Sequence, residues 1–154
     1  MEGGNLGVLL ERLDAVFQQL FRRLHARLVR SLPEGLTGSQ FFALKLIFMR
    51  GRMTVSEMAE EHGVSLSAVT AMVDRLHRLG YVERQRDEAD RRVVWLSLTP
   101  KGEELVRSCL ASRRAVLEHY LSRLPAQDVV ALVGIFEKLL EIFAQEETEE
   151  KKRG

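Results

Sequence analysis

Residues 54–102 read TVSEMAEEHGVSLSAVTAMVDRLHRLGYVERQRDEADRRVVWLSLTPKG and carry the strongest structural signal in the chain. Thr54 and Glu57 have the spacing of a T-x-x-E capping box, which opens a short helix that Gly63 can end. Ser65 can cap a second helix, which ends at Gly80. Two helices joined by so short a turn form a helix-turn-helix.

A β-hairpin is predicted directly after these two helices. The runs 81–86 and 93–98 are rich in β-branched and aromatic residues, and the segment 87–92 between them, DEADRR, has the polarity of a turn. A hairpin in this position is the wing of a winged helix. Its tip would carry two arginines, Arg91 and Arg92.

Three motifs in this stretch resemble the signature of a known family. SLSAVTAMVDRLHRLGYVER, DEADRR and LSLTPKG, in this order and at this spacing, are similar to the MarR (multiple antibiotic resistance regulator) family of bacterial transcription factors. The resemblance extends to LTGSQFFALKLI upstream, where Thr37 and Gln40 have the spacing of a second capping box, and to two long helices downstream. It implies a mainly α fold with a small β-hairpin wing, in which N- and C-terminal helices form a homodimer. It also implies a DNA-binding transcriptional regulator, in particular a repressor, that binds a pseudo-palindromic operator.

The whole chain is predicted to form one domain, 1–154, with a winged helix-turn-helix lobe at 36–100. Apolar residues recurring three and four positions apart predict long helices at 6–31 and 101–145. The first helix and the last one, which begins at Pro125, have apolar faces broader than one packing partner covers, which predicts a homodimer interface. The alternative is that these helices close a monomeric bundle. The polar segment 146–154 is expected to be a frayed tail.

Composition agrees with a soluble DNA-binding protein without requiring one. The chain is 45% hydrophobic and 29% charged, with a formal net charge of +1. Basic residues outnumber acidic ones at 65–101, where a polyanion would bind, and acidic residues dominate 141–154. Because no apolar run is long enough to span a membrane and the start lacks a signal-peptide pattern, we expect a cytoplasmic protein with no membrane partner.

The second helix of the helix-turn-helix is the predicted recognition helix. Its apolar residues Leu66, Val69, Val73, Leu76 and Leu79 can face the core. A helix in the major groove reads bases mainly with its N-terminal half, where hydroxyls can bond to bases and alanine can touch a thymine methyl. The candidate DNA-binding residues of this helix are therefore Ser65, Ser67, Thr70, Ala71, Asp74, Arg75 and Arg78. The arginines are expected to contact phosphate, although Arg78 could equally be a solvated surface charge.

The wing tip has the residues that minor-groove insertion requires. A narrow A·T minor groove concentrates negative potential and attracts an extended arginine. In the MarR family the wing aspartate braces an arginine, and Asp90 with Arg92 are the matching residues. We expect Asp87 and Arg91 to fix the turn. The alternative is an ordinary polar hairpin with exposed ion pairs.

The remaining candidate residues concern an effector site, the core and metal binding. The resemblance implies that a small aromatic or anionic effector binds near Arg22, His25, Phe41, Phe42 and Lys45. Cys109 is expected to be a small packed residue and Trp95 a core anchor beneath the wing. The four histidines, His25, His62, His77 and His119, show no ligand spacing, so we expect no metal and no cofactor.

Two other classes of function compete with DNA binding. A winged-helix module that binds protein would be expected to lack a basic wing tip and a hydroxyl-rich recognition helix, and this sequence has both. No G-x-S-x-G, P-loop or Cys/His dyad is present, so an enzyme is disfavoured. The sequence therefore favours a double-stranded DNA partner and a second copy of this chain.

Overall fold

The computed structural model describes residues 3–30 and 32–153. Within these ranges the helices are α1 (Gly3–Val29), α2 (Gly38–Arg50), α3 (Val55–His62), α4 (Leu66–Arg78), α5 (Pro100–Leu121) and α6 (Ala126–Arg153). The strands are β1 (Arg52–Thr54), β2 (Val82–Arg86) and β3 (Val94–Leu98). The predicted fold class, mainly α with a small β-hairpin wing, is confirmed.

Helix starts follow the predicted capping residues. Thr37 and Thr54 each accept a hydrogen bond from the amide three residues on, and the side chains of Gln40 and Glu57 return a bond to the cap backbone. Both predicted capping boxes are therefore present. Gly63 ends α3 with φ of +65°, a left-handed conformation that few side chains tolerate.

The three strands form one antiparallel sheet in the order β1-β3-β2. The β2–β3 hairpin was predicted, whereas β1 was not, because three residues are too few to show an alternating pattern. Met53 of β1 lies opposite Leu96 of β3, and both side chains are buried. The wing is thus anchored to the segment that joins α2 to α3.

The core of the lobe is built from one face of each of its elements. Among the described residues, the largest fully buried side chains are Leu44, Ile47, Met53, Met58, Val69, Val73, Leu76, Val82, Leu96 and Val106. Leu66 and Leu79 were predicted to join them, and this prediction was wrong, since they are 54% and 38% exposed. Leu66 is the first residue of α4 and Leu79 its C-cap, so both lie beyond the turns that the core covers. Met72 packs against the core instead.

The start of α5 is locked onto the turn before β2. Thr99 donates its hydroxyl to the Gly80 carbonyl at 2.6 Å and accepts from the Gly102 amide at 3.0 Å. A Cβ added to Gly102 would lie 2.2 Å from the Tyr81 carbonyl oxygen. Only glycine allows this approach, which explains the L-T-P-K-G motif physically.

The chain divides into two compact units, one ending at Arg113 and the other beginning at Arg114. The first unit holds α1, the lobe and the beginning of α5, and the second holds the rest of α5 and α6. This division differs from the single domain predicted from the sequence. Within residues 3–30 and 32–153, no helix is both long and apolar enough to cross a membrane.

The two long terminal helices have different limits from those predicted. The described part of α1 ends at Val29, and the predicted end at Ser31 lies outside the described residues. The segment expected to be a frayed tail, 146–154, is helical to Arg153, and Gly154 again lies outside the described residues. Glutamate, glutamine and lysine are good helix formers, and Arg153 lies 3.9 Å from Glu149 one turn earlier. Polar composition alone therefore does not end α6.

Candidate DNA-binding interface

The N-terminal half of α4 presents small polar side chains to solvent. Ser65 caps the helix by accepting from the Ala68 amide at 3.2 Å, and its hydroxyl lies 3.1 Å from that of Ser67. Thr70 donates its hydroxyl to the Leu66 carbonyl at 2.8 Å, which leaves its oxygen free to accept. Ala71 is exposed beside them. The structure thus groups these four predicted base-contacting residues on one exposed surface, and their contact with bases stays a prediction.

Asp74 ties the recognition helix to the wing. Its carboxylate forms an ion pair with Arg84 of β2. Asp74 was predicted to contact DNA, and this stays a prediction, since the structure shows only that its carboxylate has Arg84 as a partner. The pair fixes α4 relative to β2.

Sequence reasoning missed Arg84, although the strand pattern contains the signal. Side chains alternate along a strand, so Val82 and Arg84 lie on the same side of β2. Val82 is buried in the core that includes α4. Arg84 therefore points to the α4 side of the sheet, where the carboxylate of Asp74 pairs with it.

The two arginines of α4 are used differently. Arg75 donates to the Gly35 carbonyl at 2.9 Å, in the turn before α2. One of its N–H groups therefore holds α4 to this turn. Among the described residues, the hydrogen bond found for the Arg78 side chain is a long one, 3.4 Å from Nε to the Asp74 carbonyl, and the side chain is exposed. Of the two, Arg78 is freer to reach a phosphate.

Asp87 organises the wing turn. One carboxylate oxygen accepts from the amides of Ala89 and Asp90 at 2.9 and 3.0 Å, and the other accepts from the indole N–H of Trp95 at 2.9 Å. The indole hydrogen bond, followed by the two amide bonds, holds the pKa of Asp87 below its ordinary value. The carboxylate is therefore ionised at neutral pH, as this arrangement requires.

At the tip, Asp90 holds Arg92 by two parallel hydrogen bonds. The Arg92 Nε and Nη2 atoms lie 3.0 and 3.1 Å from the two Asp90 oxygens, and the Arg92 amide lies 3.1 Å from Oδ1. Arg92 lowers the pKa of Asp90. Because the pKa is lowered, the pair is fully formed at neutral pH and is lost only as the pH falls through that lowered range. The Arg92 side chain is nevertheless 91% exposed, and Arg91 beside it is exposed as well.

Trp95 does not lie in the core, so its predicted role was wrong. It is half-buried on the outer face of the sheet, opposite Thr54 and Gln85 in register. The Arg52 guanidinium lies 4.3 Å from the ring centroid, a cation–π contact. The prediction for Trp95 failed because hydrophobicity alone does not reveal which face of a strand is covered by the core.

Comparison with known proteins identifies the family. A sequence model described as the MarR family matches residues 36–94. Over 147 residues the chain is 34% identical to the HTH-type transcriptional repressor MdtR of Bacillus subtilis, and the match covers 95% of each protein. The chain belongs to the MarR family. Members of the MarR family are transcriptional regulators that bind DNA, and these relatives are not enzymes.

Solved structures agree with this assignment to the MarR family. The crystal structure of the YusO protein from Bacillus subtilis is 34% identical, covers 88% of this chain and 96% of its own, and gives a TM-score of 0.74. FabT of Streptococcus pneumoniae, crystallised in complex with DNA, also gives 0.74 at 25% identity, covering 91% of this chain and 98% of its own. The fold of these two structures is therefore shared over most of this chain.

The residues at which the MarR resemblance implied an effector lie on α1 and α2. His25 stacks on Phe21 with ring centroids 5.7 Å apart, and Arg22 beside it is exposed. On α2, Phe42 lies 5.2 Å from the His62 ring, whereas Phe41 and Lys45 are half-buried. The two sets of side chains have different ring partners, and their role in effector binding stays a prediction.

Cys109 is buried on α5, with 4% of its surface exposed. Desolvation raises the pKa of its thiol above the ordinary value. A thiol of that kind is a poor nucleophile at neutral pH. The residue thus has the surroundings of a packed structural cysteine in this MarR-family chain.

Proposed function

We propose that this MarR-family protein is a homodimeric repressor of a pseudo-palindromic operator. Each α4 would lie in a major groove and each wing in the neighbouring minor groove. The Asp90–Arg92 pair is the observation that carries the proposal. Asp90 binds one edge of the guanidinium, so the arginine is held extended in solvent while its remaining N–H groups are free for acceptors in the groove.

The recognition helix supports the same mode of binding. Its exposed N-terminal surface carries Ser67, Thr70 and Ala71, which are short enough to let the helix backbone approach the bases. Asp74 is paired with Arg84, and Arg75 already gives one hydrogen bond to Gly35. Direct readout is therefore sparse, and we infer that DNA shape supplies much of the specificity.

Dimerisation is supported by apolar surface on the two terminal helices. On α1, Val8, Leu13 and Phe21 are each at least 60% exposed. On α6, Val130 and Leu140 are 71% and 66% exposed. So many exposed apolar side chains on one helix are unfavourable in water and indicate an interaction site. The occupant we propose is a second copy of the chain, since closed two-fold dimers are the commonest soluble assembly.

Repression and control by an effector are the two remaining parts of the proposal. Repression is supported by the name of the relative MdtR, a transcriptional repressor. As a regulator of bacterial transcription, the protein would act in the cytoplasm. Effector control rests on the family resemblance and on the aromatic residues Phe21 and Phe42. We expect an aromatic carboxylate such as benzoate to release DNA from a preformed operator complex. The Phe42→Ala variant should need a higher benzoate concentration for the same release. Operator binding that benzoate leaves unchanged would contradict this choice of effector.

Arg92→Ala tests the wing part of the proposal. Loss of one groove contact costs about 1–3 kcal/mol, and the dimer loses two. We therefore expect at least a tenfold weaker operator complex in a mobility shift, together with a salt dependence flatter by about one counterion for each wing. Arg113→Ala, at an exposed arginine of α5 away from the wing, is the matched control and should leave binding unchanged. Wild-type affinity and salt dependence in Arg92→Ala would contradict the wing's role.

A further inference from the structure

A continuous path of hydrogen bonds links the sheet to the wing tip. It begins at Trp95, whose indole N–H donates to Asp87. Asp87 accepts hydrogen bonds from the backbone amides of Ala89 and Asp90. Asp90 in turn holds the amide and the guanidinium of Arg92. Each residue on this path fixes the position of the next.

Trp95 is itself fixed on both sides. Its backbone lies in the central strand of the sheet, between Thr54 of β1 and Gln85 of β2. The Arg52 guanidinium covers its ring at 4.3 Å. The indole therefore has little freedom to rotate, and its N–H is directed at Asp87.

Asp87 uses both of its carboxylate oxygens, and each has a separate task. Oδ1 organises the turn by accepting two backbone amides, and Oδ2 accepts only the indole among the hydrogen bonds described for it. A carboxylate held at both oxygens cannot rotate about its side-chain torsion without breaking one of them. The indole bond thus stops the turn from moving relative to the sheet.

We propose that Trp95 is a positioning residue for DNA binding, which acts through Asp87 to set the place of Arg92. The proposal rests on the proposed entry of Arg92 into the minor groove. Trp95 is half-buried and is not among the residues of the hydrophobic core described above, and a phenylalanine would keep an aromatic ring beneath Arg52. The indole N–H is the group that a phenylalanine lacks.

Trp95→Phe is the discriminating variant, because it keeps an aromatic ring for Arg52 and removes only the N–H donor. We expect operator affinity to fall on the order of tenfold, as for the loss of one hydrogen bond in each wing. In an Arg92→Ala background, measured at low salt so that binding is retained, the same change should have no further effect. A purely structural role would give the same loss in both backgrounds.

Two further variants complete the test. Ser97→Ala lies on the same face of β3, two residues along, and should change neither affinity nor stability. Asp87→Asn replaces one of the two acceptor oxygens with a donor, so it should weaken operator binding as Trp95→Phe does. It keeps the test valid if Trp95→Phe folds poorly. Hydrogen exchange should show faster exchange at the Ala89 and Asp90 amides in Trp95→Phe and not in Ser97→Ala.

Each outcome decides a different point. Affinity unchanged in Trp95→Phe, or an equal loss with and without Arg92, overturns the positioning role. Wild-type protein that shows no preference for its operator over unrelated DNA would overturn the proposed function instead. If Trp95→Phe weakens operator binding only in protein that retains Arg92, both the positioning role and the proposed function are supported.

Discussion

Leu140→Glu should convert the protein from a stable dimer into a monomer or an aggregate. Leu140 is 66% exposed in the single chain and lies on the apolar stripe of α6. If a second copy covers it, each chain loses about 1.5–3 kcal/mol of leucine burial, and a carboxylate without a partner is placed in the interface. Because the symmetry doubles every substitution, the dimer dissociation constant should rise by at least about 10⁴-fold. Analytical ultracentrifugation at micromolar concentration measures this directly.

Lys138→Glu is the matched control for that experiment. It lies two residues before Leu140 and is exposed, yet it lies outside the apolar stripe of the helix. The lysine substitution changes the net charge by more than the leucine substitution does, so a general charge effect would appear there first. We expect Lys138→Glu to stay dimeric and to bind DNA. A folded, soluble monomer for the wild-type protein, or an unchanged dimer for Leu140→Glu, would contradict the proposed interface.

The parts of the fold that the sequence predicted are those with local causes. A capping box needs only residues three positions apart, so the starts at Thr37 and Thr54 could be read directly. The same holds for the left-handed stop at Gly63 and for the hairpin at 82–98. The family resemblance implied the Asp90–Arg92 pair, which joins residues only two positions apart.

What the sequence did not predict depends on residues that are far apart in the chain. Arg75 bonds to Gly35, forty residues away, and Arg52 covers Trp95 through strand pairing that only the folded sheet creates. The ion pair of Asp74 was missed because Arg84, ten residues on, could not be placed beside it without the strand register. Leu66 was assigned to the core because helical periodicity gives a face and not the length of its packing partner. For Arg75, Arg52 and Asp74 a non-local contact decided the outcome, and for Leu66 the lack of one did.

The geometry of the operator follows from the symmetry of the proposed dimer. Two recognition helices on one face of the duplex must lie about 34 Å apart, one turn of DNA. The operator should therefore be an imperfect inverted repeat with half-site centres roughly 10 base pairs apart. A·T pairs are expected where the wings reach the flanking minor grooves.

Inserting five base pairs between the half-sites tests the central claim most directly. The insertion rotates one half-site by about half a turn, so a two-fold dimer can no longer place both helices at once. Affinity measured by fluorescence anisotropy should fall toward the non-specific level, a loss of about 4 kcal/mol or more. The same five base pairs inserted outside the operator should have no effect. Binding that is indifferent to the central insertion, or a footprint over a single asymmetric half-site, would contradict the symmetric docking proposed for this protein.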